Sequence, residues 1–322
     1  MNGLNRFVPI LLVISSAAFP QRGNGDQVGG YPTFYERQLL VLTNACRMAP
    51  AQFRERYIGD YQVLLPQNYA PVKPLYWNLA LNHSSRAHAM DMANNCGLQH
   101  NSCDGTDFAT RVKSYYLNKN SQSYTFGENI STGTATAIAT LKLWVLEVDP
   151  SSSPVPADLS GNDAHRQNLM RTEFRELGCG YAYGPEQWYS FWVQDFGTCG
   201  HPTFSGPLVS GSHFFITPDS ITFLVNYYSA LPPDNLKCTI DSVDFPMIIA
   251  MGTASRGTYA LTLKTDMDVR QYFFSCSGGR YPEYGMLLTI EEGNGTSDYI
   301  PPESIGVTSV PSNDTRLPSE GF

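Results

Sequence analysis

Apolar and polar positions follow two regimes along this chain. Up to about residue 200 the apolar residues recur mainly at helical spacing, and beyond it they alternate in short β-like runs. The stretch "TFYERQLLVLTNACRMAP" puts Leu39, Leu40, Leu42 and Cys46 on one stripe, which predicts a helix with Thr33 as N-cap and Pro50 as stop. "LYWNLALNHSSRAHAMDMANNCG" predicts a second helix ending near Gly97, and a third starts around Thr134 with Ala137, Leu141, Trp144 and Val148 on one face. Residues 149–162 are rich in Pro, Ser and Gly and read as a loop, followed by a short helix in "DAHRQNLM". "ELGCGYAYG" and "WYSFWVQDFG" read as a hairpin. From residue 205 to 298, runs such as "SITFLVNYYS", "TYALTLKT" and "QYFFSC" predict a mainly antiparallel β-sandwich. Residues 299–322 lack an apolar pattern and read as a disordered tail.

Length and composition narrow the picture. A chain of 322 residues fits two domains better than one, and 42% hydrophobic residues support packed cores. The formal net charge of −8 lacks the basic footprint that a nucleic-acid partner needs. At the N-terminus, Arg6 precedes an apolar run from Phe7 to Phe19 that ends in small residues. This predicts a signal peptide over residues 1–20, cleaved near Ala18, so the mature chain is expected outside the cell with no membrane span.

Export permits disulfides among the seven cysteines. Cys46 lies on an apolar helix stripe and reads as the unpaired thiol. Cys96 with Cys103 bracket a short loop, Cys179 with Cys199 lie near opposite ends of the hairpin, and Cys238 with Cys276 sit in two β-runs, giving three candidate pairs. Glycosylation sequons begin at Asn82, Asn129, Asn294 and Asn313.

Five fragments in order carry the candidate chemistry: "CGLQHNS" with His100, "GENI" with Glu128 and Asn129, "LWVLEV" with Trp144 and Glu147, "AHRQNLM" with His165, and "FWVQDFG" with Gln194. Together they resemble the CAP superfamily of cysteine-rich secretory, antigen 5 and pathogenesis-related proteins, most of all its bacterial-type members. The resemblance spans roughly residues 36–200. It implies an α+β fold: a three-layer αβα sandwich over residues 33–200, ahead of the β-domain. It also implies an open cleft where His100, His165, Glu128 and Glu147 converge, with Glu128 at a loop-to-helix junction and Trp144, Asn129 and Gln194 as support. This chain departs from the family where a glycine often precedes the second histidine, because Ala164 stands there.

The residue types point the same way. Two neutral imidazoles suit a divalent ion, zinc first, with water completing the shell. The carboxylates would hydrogen-bond the imidazoles or ligate directly. The favoured function is a secreted, non-enzymatic binding protein for a metal and, by resemblance, a lipid, a sterol or an extracellular protein. The alternative is a metal-dependent secreted hydrolase, a protease or esterase, although neither H-E-x-x-H nor G-x-S-x-G occurs. Ser102 near His100 is a conceivable nucleophile for it. A third reading makes the four residues a structural hydrogen-bond network. His83, His88, Arg166 and Asn168 read as structural.

Overall fold

A computed structural model describes residues 32–61, 63–116, 124–147, 163–184, 189–217, 220–264, 271–283, 287–289 and 299–300. The expected signal peptide, Val148, the loop at 149–162, the hairpin turn and residues 301–322 lie outside them.

Helix α1 (Phe34–Met48) begins at Thr33, whose backbone N–H donates to Glu36 Oε2 at 2.9 Å in a capping box. α1 ends just ahead of Pro50, as expected, with Ala49 out of helical conformation. Pro50 is then the first residue of α2 (Pro50–Phe53), a position where its missing N–H is not needed. Next come β1 (Tyr76–Trp77) and α3 (Leu79–Asp91), which Asn78 caps by accepting from Leu81 N at 3.1 Å. A π-helical turn over Met92–Cys96 extends α3 to Gly97, whose φ of 77° ends it. Helix α4 (Phe108–Tyr116) was not expected from the apolar spacing. Strand β2 (Phe126–Thr132) contains Glu128, which therefore sits within a strand and not at a loop-to-helix junction. Then follow α5 (Ala137–Leu146), α6 (Ala164–Met170), and the hairpin β3 (Glu176–Gly184) and β4 (Tyr189–Gly197).

These strands form one sheet in the order β1-β3-β4-β2, with β1 parallel to β3 and the other pairs antiparallel. Helix α3 lies directly on the backbone of β3, at the glycines of "GCG". A Cβ at Gly178 would stand 2.1 Å from Asn82 N, and one at Gly180 would stand 2.3 Å from the Ser85 carbonyl carbon. On the opposite face, Leu177, Cys179, Trp192 and Phe196 share a core with α1 and α5.

Among the described residues, the C-terminal half has ten strands: β5 (Leu208–Thr217), β6 (Ser220–Tyr228), β7 (Lys237–Ile240), β8 (Val243–Pro246), β9 (Ile248–Thr253), β10 (Arg256–Lys264), β11 (Gln271–Cys276), β12 (Gly279–Tyr281), β13 (Leu287–Thr289) and β14 (Tyr299–Ile300). They build two antiparallel sheets, β5-β6-β10-β9 and β14-β13-β11-β7-β8, with β12 beside β11. β14 pairs with β13, so the first two residues of the expected tail belong to a sheet. Phe223 and Val225 from the first sheet meet Tyr272 and Phe274 from the second in a shared core.

The first of these sheets is apolar on both faces. Phe214, Leu224, Met251 and Ala260 join the core around α1, so the two halves of the chain share one interior. Every residue of α1 except Tyr35 is buried. Its polar side chains end on neighbours: Gln38 donates to His213 O at 2.9 Å, and Asn44 donates to Leu75 O at 2.9 Å and to Ser210 Oγ at 3.2 Å.

One of the three candidate disulfides is present, Cys96–Cys103, with its Cα atoms 5.5 Å apart. The other two are not formed. The hairpin register sets Cys179 opposite Gln194, five positions short of Cys199. Cys238 faces Phe274, two positions short of Cys276. Cys46 is a buried thiol that burial pushes up to about 12, but Cys179, Cys238 and Cys276 are thiols as well. The sequon residues Asn82 and Asn129 are fully buried, where no glycan fits the folded chain.

The shared interior is testable because all four tryptophans precede residue 201. Leu224→Ala, a cavity in the β-half, should lower stability by about 2–5 kcal/mol. Tryptophan fluorescence should report that loss as a shifted unfolding midpoint, whereas independently unfolding halves would leave the midpoint unmoved. A second outcome concerns His213, which is fully buried with Nδ1 2.8 Å from Tyr272 Oη. Burial, then the nearby Arg37 charge, holds its pKa well below the usual histidine value. The unfolded chain therefore takes up a proton that the folded chain refuses. Stability from this group is complete above about pH 6.5 and falls below it, by at most about 1.4 kcal/mol per pH unit. Urea midpoints measured across that range should show a shallower acid slope in His213→Phe.

Candidate functional site

The site begins with β2, the edge strand of the first sheet. One of its polar residues, Glu128, is buried with 1% of its side chain exposed. A buried carboxylate needs partners, and Glu128 has two cationic or N–H donors. Oε1 lies 2.8 Å from His100 Nδ1, and Oε2 accepts from Arg111 Nη2. Arg111 also donates to His100 O at 3.0 Å and to Ser102 Oγ at 3.1 Å. The His100 loop is closed by the Cys96–Cys103 disulfide, and its Gln99 carbonyl accepts from His88 Nε2 at 2.9 Å.

A second histidine–carboxylate pair repeats this pattern. His165 Nδ1 lies 2.7 Å from Glu147 Oε2, while Glu147 Oε1 accepts from the backbone N–H of Arg166 at 2.7 Å. Glu147 is not a helix-body residue as the spacing predicted. It follows α5 in the left-handed region with φ 53°, a conformation that non-glycine residues adopt at a cost and that its two hydrogen bonds hold. Trp144 is buried, donates to Ile130 O at 3.0 Å, and stacks its ring on His165 with centroids 6.5 Å apart.

Asparagines connect the two pairs. Asn129 Nδ2 donates to His165 O at 3.2 Å and to Gln194 Oε1 at 3.4 Å. Asn168 Nδ2 donates to Asn129 Oδ1 at 3.0 Å and to Glu128 O at 3.2 Å. Gln194 in turn donates to Thr43 of α1 at 2.7 Å. β2, α6, β4 and α1 are therefore joined in one polar path under the two pairs.

The carboxylates are the buried members and the imidazoles the accessible ones: His100 is 52% and His165 33% exposed, against 1% and 7% for Glu128 and Glu147. An ionised carboxylate only accepts, so each Nδ1 carries its hydrogen and each neutral ring keeps its lone pair at Nε2. Among the described residues, the four do not contribute to any trio of His, Cys, Asp or Glu ligand atoms within 4.8 Å of one another. The trio that does meet this distance is Asp91, Cys96 and Cys103, whose two sulfurs are spent on the disulfide.

Sequence reasoning missed Arg111 and gave Asp195 no role. Arg111 lies on the unforeseen α4. Asp195 is fully buried on β4, directly across the strand pair from Glu128. Burial, then the Glu128 charge, pushes its pKa well above the usual carboxylate range, so it holds its proton more tightly than an exposed carboxyl does. Ser84 and Glu128 flank it without a well-formed hydrogen bond to either oxygen.

The folded chain therefore holds a proton that the unfolded chain releases above about pH 3.9. Stability from Asp195 is greatest at acid pH and declines as pH rises toward its folded pKa, by at most about 1.4 kcal/mol per unit. Asp195→Asn should remove that decline, leaving the variant relatively more stable at neutral pH in urea titrations.

Comparison with known proteins places this geometry. The model of the cysteine-rich secretory protein family (CAP) matches residues 41–196. No curated protein matches the chain. Among solved structures, an extracellular protein containing an SCP domain from Bacillus anthracis is 19% identical, with 47% of this chain and 42% of that one covered and a TM-score of 0.30. This chain thus spans less than half the length of that protein. Venom allergen-like protein 4 of Schistosoma mansoni is 15% identical, with 56% and 96% covered and a TM-score of 0.32. NaASP2, in a crystal structure with Zn2+, is 15% identical, with 53% and 83% covered and a TM-score of 0.33. Likeness at this level speaks to no activity. Residues 41–196 match the CAP family, which supports membership of the CAP superfamily for this part of the chain.

Proposed function

We propose that this is a secreted CAP-domain protein that binds a divalent metal, zinc first, through His100 and His165 without being an enzyme. The observation that carries this reading is the repeated pairing of an accessible imidazole with a buried carboxylate through Nδ1. Such pairing fixes the tautomer, orients the ring and leaves Nε2 as the metal-binding nitrogen. The donor set fits a borderline ion: two neutral imidazoles, with the carboxylates as their hydrogen-bond partners and water in the other positions. When bound, the ion would supply a Lewis-acid centre with open positions. Arg111 and Arg166 N–H keep the two carboxylates in place, and Trp144 and Asn129 hold His165.

The hydrolase reading finds no favouring contact, since the Ser102 hydroxyl takes a hydrogen bond from Arg111 while His100 Nδ1 is engaged with Glu128. No helix among the described residues is long and apolar enough to cross a membrane. The partners proposed for the whole protein are extracellular: a lipid, a sterol or another protein.

The test is a calorimetric zinc titration at about pH 7.5 and about pH 5.5, beside the His100→Ala/His165→Ala double variant. Saturable 1:1 binding is expected for the intact protein at the higher pH. It should be lost in the variant and weakened by proton competition at the lower pH. Absence of binding by the intact, folded protein would overturn the metal reading and leave the four residues as a structural network.

A further inference from the structure

The loop that carries His100 is a covalently closed ring. The Cys96–Cys103 disulfide joins its ends, seven positions apart, and His100 stands in the middle. Little else holds this ring. From Gly97 to Ser102 it contains no helix or strand and no buried side chain, and Leu98 is 49% exposed. No apolar burial therefore ties it to the core. Its other ties are separate hydrogen bonds. His88 donates to the Gln99 carbonyl at 2.9 Å, and Arg111 donates to the His100 carbonyl at 3.0 Å and to Ser102 Oγ at 3.1 Å. The Ser102 N–H donates to Thr106 O at 2.9 Å. Each such bond contributes little net stability where water competes for it. The 2.8 Å contact of the half-exposed His100 ring with Glu128 thus depends on the closed ring. Closing a short loop covalently removes most of the open arrangements the chain would otherwise sample. After reduction, that closure rests on the Cys103 N–H bond to Asp91 Oδ2 at 2.7 Å.

The disulfide also lies where a thiol can reach it. Cys96 is exposed and Cys103 half-buried, whereas the thiols of Cys46, Cys179 and Cys238 are buried. Exposed disulfides are the ones that exchange with external thiols. Each sulfur already has a neighbour that its reduced form would use. Gln99 Nε2 donates to Cys96 Sγ at 3.1 Å, and Cys103 Sγ lies 3.4 Å from the Asp91 carbonyl, an acceptor for a thiol S–H. We propose that Cys96–Cys103 is a thiol-exchange site that controls the metal site, an inference that rests on the zinc binding proposed above. The reactant is a small-molecule thiol. Its thiolate attacks Cys96 Sγ and forms a mixed disulfide. The Cys96–Cys103 bond breaks, and its electron pair goes to Cys103 Sγ, which takes a proton from water. A second thiolate attacks the external sulfur of the mixed disulfide and releases Cys96, which is protonated in turn. Two external thiols are thereby oxidised to one disulfide, and the protein disulfide is reduced to two thiols. The opened loop no longer holds His100 on Glu128, so the metal loses one of its two imidazoles.

The test compares the oxidised full chain with chain treated with reduced glutathione and with the Cys96→Ser/Cys103→Ser variant. The treated protein is alkylated with iodoacetamide and freed of glutathione, so that no new thiol takes up metal. Oxidised protein carried through the same alkylation is the reference. Peptide mass spectrometry should find Cys96 and Cys103 alkylated while circular dichroism shows the fold intact. Zinc affinity by calorimetry should fall about tenfold in both opened forms, because only molecules with His100 in place bind fully. Amide hydrogen exchange without metal should quicken at positions 102 and 103, whose N–H groups are bonded in the closed ring, and stay unchanged across α6. Should the serine variant fail to fold, the glutathione arm still decides. If the oxidised protein binds no zinc, the metal reading fails, and the exchange result alone upholds or overturns thiol control of the loop. A disulfide that glutathione leaves intact, exchange that stays as in the oxidised protein, or a lowered unfolding temperature with zinc affinity unchanged would each overturn the proposal.

Discussion

Helix α1 has almost no side facing water, and the rest of the molecule is arranged around that constraint. A helix enclosed on every side can carry Glu36, Gln38, Thr43, Asn44 and Arg47 only if each polar group ends on a neighbouring element. Glu36 takes two bonds from Arg86 of α3, at 2.8 and 2.7 Å. Gln38 and Asn44 reach β5, and Asn44 also exchanges bonds with Leu75 beside β1. Arg47 Nη1 donates to the carbonyls of Leu169 and Arg171 at the end of α6, at 2.6 and 3.1 Å. Thr43 accepts from Gln194, the entry to the asparagine path below the histidines. One helix thus positions both α6, which bears His165, and the sheet that bears Glu128. The C-terminal half is part of this arrangement because its first sheet closes the remaining side of α1.

The two histidine–carboxylate pairs show how burial divides labour between like groups. Glu128 is accommodated in the interior because Arg111 supplies a charge on one oxygen and His100 a donor on the other. Asp195, across the strand pair, has no such cation of its own and holds a proton. Two carboxyls at neighbouring register positions cannot both be charged cheaply, and the one with the better partners takes the charge. Glu147 is satisfied without an arginine side chain, by closing on a backbone N–H at the start of α6. Its left-handed backbone is the conformational cost of aiming the carboxylate back at His165.

Close approach of helix to sheet sets which flank of α3 faces α4. Gly178 and Gly180 let α3 rest on β3 with no side chain between them, which leaves the other flank of α3 to face α4. His88 lies between these surfaces, satisfied at one nitrogen by the disulfide-closed loop and open at the other. The same loop therefore carries His100 to Glu128 and, through the Gln99 carbonyl, holds His88, with Arg111 bonded to both His100 O and Glu128.

Much of this was legible in the chain itself. The stripe through Leu39, Leu40 and Leu42, the capping residue Thr33, and the alternation after residue 205 are local signals, set by side-chain period and backbone hydrogen bonding within a few residues. The ordered fragments around His100, Glu128, Glu147 and His165 pointed to the family for the same reason, since short motifs survive without their context. The short Cys96–Cys103 pair was legible because seven residues of separation leave few alternatives. What the chain could not disclose depends on register and on contacts far apart in sequence. A hairpin register put Gln194, not Cys199, opposite Cys179. The strand identity of Glu128, the charge supplied by Arg111, the neutral state of Asp195 and the burial of α1 beneath the β-half all arise when distant segments exclude water together. No local pattern encodes that shared desolvation, so only the tertiary structure decided it.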